Sequence, residues 1–136
     1  MKKIFIILFC GVLILLGGCS KSEKKSTSIL LSQKQLSEAK QLSGMWIYNT
    51  KDISENFRVE ITKKMISVEK SHQGSNVKEE FKIYDFQNEE GQLSIYGSND
   101  ENNIHLIKKS FDTAYIGGGK VNFEGESAWQ IELKKK

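Results

Sequence analysis

From Gly44 onward, apolar or aromatic residues alternate with polar ones in short runs, separated by polar segments that often carry glycine. Phe57/Val59/Ile61, Ile66/Val68, Phe81/Ile83, Leu93/Ile95, Ile104/Leu106 and Trp129/Ile131/Leu133 each line one face of a strand and leave charges on the other. No other feature constrains the fold as strongly, because a period of two scatters its apolar stripe around a helix but gathers it on one side of a sheet. The segments 71–76, 87–91, 98–103 and 117–119 have turn composition. Residues 44–50, 56–62, 64–70, 77–86, 92–97, 104–110, 111–116, 120–124 and 128–134 therefore read as the strands of an antiparallel meander. A sheet with one apolar face must close on itself or fold over, which predicts a mainly β domain: a small up-and-down barrel or a bent sheet.

One short helix precedes the strands. Ser32 is a good N-cap with Gln35 three residues on, Leu36, Ala39 and Leu42 share a face, and Gly44 is a natural stop, so the pattern predicts a helix near 33–42. Its place is at one end of the barrel or on the rim.

The start of the chain has another character. Met1-Lys2-Lys3 is cationic, and the run Ile4–Leu16 is almost wholly apolar but only about 13 residues long, short of the roughly 20 that a membrane-spanning helix needs. This is the pattern of a signal peptide. Leu16-Gly17-Gly18-Cys19 resembles the lipobox of bacterial lipoproteins. The resemblance implies that a diacylglyceryl group is attached to the Cys19 thiol, that the chain is cut before Cys19, and that acyl chains then hold it to the bilayer. Residues 1–18 are on this reading a removed signal peptide, 19–31 a lipidated cysteine with a flexible tether, and 32–136 a helix plus barrel-like domain. Cys10 lies in the discarded segment, so the mature chain has one cysteine and no internal disulfide. Arg58 stands alone beside nineteen lysines, a composition pointing to an AT-rich genome and a low-GC Gram-positive host. The expected location is the extracellular face of the cell membrane.

Two of the 20 basic residues, Lys2 and Lys3, leave with the signal peptide, so the processed chain carries 18 against 17 acidic ones. The basic residues outside the two ends are scattered among Glu and Asp rather than gathered in a stripe, which argues against nucleic acid as a partner. Gly44-Met45-Trp46, following a short helix, is similar to the Gly-x-Trp opening of lipocalins and related small barrels. That likeness implies a barrel with Trp46 at its floor; the chain offers Asp112-Thr113-Ala114-Tyr115 where lipocalins carry a Thr-Asp-Tyr-like turn, and it has no arginine after Arg58. Trp46, Tyr115 and Trp129 are the candidate ligand-binding or barrel-floor residues.

No constellation for catalysis stands out. His72 reads as part of a hairpin turn and His105 as facing outward between Ile104 and Leu106, with no cysteine nucleophile beside either. Glu79-Glu80 and Glu89-Glu90 are adjacent pairs that a strand sends to opposite faces. The acidic run 99–103 lacks the glycine and the final glutamate of a calcium loop, and Gly117-Gly118-Gly119-Lys120 reads as a turn rather than a phosphate cradle. No metal and no cofactor beyond the acyl chains is expected. The reading is a non-enzymatic surface lipoprotein that presents a small β domain to a small ligand or a surface protein. The alternatives are an immunity or exclusion lipoprotein against membrane-active peptides or phage, and a precursor whose signal-peptide tail, Gly11 to Gly18, becomes a pheromone.

Overall fold

The computed structural model describes residues 27–51, 54–119 and 131–136. Eight antiparallel strands follow one another round a closed barrel, and β8 pairs back onto β1. In order they are β1 Gly44–Asn49, β2 Ser54–Ile61, β3 Met65–His72, β4 Ser75–Glu89, β5 Gln92–Ser98, β6 Asn103–Lys108, β7 Thr113–Gly118 and β8 Ile131–Lys135. Before them come α1, Gln33–Ala39, and a single 3-10 turn, Lys40–Leu42. The expected capping box is present: Gln35 N–H donates to Ser32 Oγ, and Ser32 N–H to Gln35 Oε1.

The helix sits at the end of the barrel where β1 begins and β2 finishes. Ala39 and Leu42 are fully buried there, Trp46 Nε1–H donates to Leu42 O at 3.0 Å, and Ser43 Oγ accepts from Ile61 N–H. The anchored segment also starts earlier than Ser32. Ile29 N–H donates to Ile83 O and Leu31 N–H to Lys63 O, and Leu31 is buried, so residues 29–31, expected in a flexible tether, pack on the barrel.

Three expectations about turns need correction. The segments 71–76 and 87–91 contain only two-residue turns, Gln73-Gly74 and Glu90-Gly91, with positive φ at both positions (45° and 85°; 51° and 83°). Such turns match the twist of the flanking strands, so β3, β4 and β5 run almost to them and β4 reaches 15 residues. The glycines 117–118 continue β7 instead of ending it, and a Cβ on Gly118 would lie 2.0 Å from Asn103 O, an approach open only to glycine. The strand expected at 120–124 lies outside the described residues.

A bulge between Ile83 and Asp85 shifts the register of β4 as it passes from β3 to β5. Tyr84 and Phe86, which strict alternation places on one face, are thereby parted: Phe86 pairs with inward Ile95 and packs against the core, while Tyr84 meets outward Tyr96.

The inside of the barrel is largely filled. Phe57, Val59, Ile66, Val68, Phe81, Ile83, Ile95, Ile104, Leu106, Ala114, Ile116 and Leu133 are essentially inaccessible and form one cluster with Trp46. At Gly97 the packing admits no side chain, since a Cβ would lie 2.8 Å from Phe81 Cβ and 3.1 Å from Ile66 Cδ1. Gly97→Ala is therefore expected to cost about 1–3 kcal/mol by overpacking, read as a lowered urea midpoint with unchanged slope.

Candidate functional site: a charged mouth inside the barrel

The alternation that buries Phe57, Val59 and Ile61 from β2 also turns Glu55 inward, near the end of the barrel remote from the helix. In β3 the parity of Ile66 and Val68 is continued by Lys70 and His72. Asn56 pairs with Ser71, so one step further Glu55 stands across from His72, with Lys70 diagonal to it. Glu55 is 4% exposed. Its Oε1 lies 3.8 Å from Lys70 Nζ and 3.4 Å from His72 Nδ1, near enough for ion pairing but without hydrogen-bond geometry. Glu55 Oε2 and His72 Nδ1 are buried and have no hydrogen-bond partner. Glu79, cross-strand from inward Val68, accepts from Asn102 Nδ2 at 3.2 Å, and Tyr48 pairs with Glu55 from β1.

This is a mouth of mixed charge on an apolar plug. A buried carboxylate with one bare oxygen is costly unless something donates to it, since polar groups taken from water need their hydrogen bonds. The bare carboxylate oxygen can accept from a ligand that brings donors, and so can the imidazole nitrogen in the neutral tautomer that leaves Nδ1 unprotonated, a state in which His72 and Glu55 form no ion pair. Among the described residues no group of three His, Cys, Asp or Glu could hold a metal ion.

The site was hidden in the sequence by two misplacements. His72 is the last residue of β3 rather than part of a turn, because the turn is only two residues long. Glu55 falls just before the expected strand 56–62 and Lys70 ends the expected strand 64–70, so neither is placed inside unless the parity of each run is carried past its last apolar residue. His105 does face outward, with its ring 6.4 Å from that of Tyr96.

Of the expected floor residues, Trp46 is 1% exposed and lies in the barrel under the helix, at the end opposite the charged mouth. Tyr115 is not a floor residue: Ala114 and Ile116 take the inward positions of β7, which puts Tyr115 on the outer wall. Its hydroxyl accepts from Lys109 Nζ, an interaction that raises the lysine's pKa above its usual value. Glu132, the cross-strand neighbour of Tyr115, is held below the usual carboxylate range, first by its hydrogen bond with Lys134. That contribution to stability is present at neutral pH and lost as acid protonates the carboxylate. Burial, and then Asp85 and Tyr96, push the Tyr84 phenol up. Trp129 and Leu16, Gly17, Gly18 and Cys19, the residues of the expected lipobox, lie outside the described residues.

Removing the lysine alone leaves the Glu55 carboxylate buried beside a single imidazole. Lys70→Met is expected to lower stability by about 3 kcal/mol, and the double variant Glu55→Met with Lys70→Met to regain most of it, because the second change removes the stranded charge. Urea unfolding of both variants checks this; equal losses in the two would mean that the carboxylate is not stranded.

No protein-family model matches the chain, and no curated protein matches it in sequence. Among solved structures, the crystal structure of pallilysin from Treponema pallidum is similar over 72% of this chain and 81% of that one, with 15% identity and a TM-score of 0.46. A likeness at that level concerns the fold and carries nothing about activity.

Proposed function

We propose that this chain is an exported lipoprotein of a Gram-positive cell, tethered to the outer face of the membrane through acyl chains on Cys19, and that its barrel binds a small donor-bearing ligand such as an amine. It catalyses no reaction on this reading. The observation that carries the binding role is the bare, buried Oε2 of Glu55 beside the bare Nδ1 of His72. An ammonium group donates to both atoms and supplies what the interior leaves out. The filled apolar half speaks against a bulky lipid in the barrel, because the volume beneath the helix is occupied by side chains.

The tether favours the same arrangement. The chain joins the barrel beside the helix, at Ile29–Leu31, while Glu55 and His72 lie toward the other end. A domain held from the helix end keeps its charged mouth open to the outside.

Two measurements test the proposal on protein extracted from its own host's membranes. Intact mass should show a diacylglyceryl adduct that Cys19→Ser abolishes, together with loss of membrane association. Native mass spectrometry of the detergent-solubilised protein should show a co-purifying small molecule that is absent from Glu55→Gln. A bare chain mass from wild type and variant alike would sink the ligand role, and an unmodified Cys19 would sink the anchor.

A further inference from the structure

Residues 28–30 run beside the part of β4 that extends past the start of β3. Together with Lys64, Met65 and Lys82 they line a groove of about 240 Å³. Its geometry is set by the backbone: Ile29 N–H donates to Ile83 O at 2.7 Å, Leu31 N–H to Lys63 O at 2.9 Å, and Ile83 N–H to Lys64 O at 2.9 Å. Ile29 packs against the core and Leu31 is buried, so the residue between them is turned away, and Leu30 is 62% exposed. Lys82 is the cross-strand partner of Met65 on the outer face. Neither the Lys64 nor the Lys82 ammonium has an ion-pair partner among the described residues.

We infer that this groove seats the headgroup of an anionic phospholipid and lays the β3–β4 edge of the barrel against the bilayer. The inference rests on the anchoring role given to Cys19. Two ammonium groups without ion-pair partners in a groove lined by Ile29, Leu30 and Met65 match an anionic head on an apolar stem, and exposed Leu30 meets the headgroup boundary. A free phosphate uses the lysines but gains nothing from Ile29, Met65 and Leu30. The reach of the tether agrees: the nine steps from Cys19 to Ser28 span at most about 32 Å even when fully extended, so the groove cannot leave the neighbourhood of the surface. Lys21, Lys24 and Lys25 in that stretch add to the attraction.

The test uses the mature chain, residues 19–136, with Cys19→Ser so that no acyl chain contributes, cosedimented with phosphatidylglycerol or phosphatidylcholine vesicles. Binding is expected to phosphatidylglycerol alone, to weaken with added salt, and to survive millimolar inorganic phosphate. Lys64→Glu with Lys82→Glu should lower the partition at least tenfold, and Leu30→Ser by several fold. Three results overturn the inference: equal binding to both lipids, full competition by free phosphate, or a loss confined to Lys21→Gln/Lys24→Gln/Lys25→Gln while the groove variants bind normally. The anchor is judged separately, by the intact mass of Cys19 in membrane-derived protein, so that either reading can fail without the other.

Discussion

β1 is hydrogen-bonded along both edges, to β2 over its whole length and to β8 at Trp46↔Lys135 and Ile47↔Lys134. Through that second, short seam the sheet has no free edge, and its inward side chains share one enclosed volume. Eight strands make a barrel just wide enough for side chains to fill. The fit is close enough that position 97 must be glycine, and the helix end is completed by Ala39, Leu42 and the Trp46 bond to Leu42 O. Without closure, Glu55, Lys70 and His72 would lie along an open face, and the carboxylate would have water to accept from.

Closure also divides the interior. Toward the helix the interior is apolar and dense, while at the far end the same inward parity delivers Glu, Lys and His from β2 and β3 beside the buried Ile104 and Ile131 of β6 and β8. A charged cluster inside a small barrel weakens it relative to an apolar filling. Such a cluster is the sort of local inconsistency that marks a binding position in an otherwise consistent core. The outer wall carries half-buried aromatics of its own, Tyr84, Tyr96 and Tyr115, but these are satisfied by one another or by Lys109.

β4 is irregular on one side and overhangs its neighbour on the other. The bulge at Ile83/Asp85 shifts the register of β4 against β5, while on its other side β4 runs past the start of β3, so that Ile83 O accepts from Ile29 N–H. Residues 29–31 are thus held beside the overhang of β4, and the groove they line with Lys64, Met65 and Lys82 lies there.

Most of the architecture was legible before any coordinates. The period of two is a local property, and with it came the strands, their antiparallel order and the closed or bent sheet; the Ser32 and Gln35 cap and the Leu36/Ala39/Leu42 stripe likewise specify α1 from neighbouring residues alone. What the sequence did not disclose depends on register and closure. A two-residue turn at Gln73-Gly74 moves His72 from a loop into the barrel, one bulge separates Tyr84 from Phe86, and the parity of β7 sends Tyr115 outward while Trp46 goes in. Each is a shift of a single residue, and in a strand a single residue exchanges inside for outside. The amino-acid sequence by itself determined that a β barrel forms with a helix before it; only the tertiary structure decided that Glu55 and His72 meet, because strands 2 and 3 bring them together across a ladder whose register no local pattern specifies.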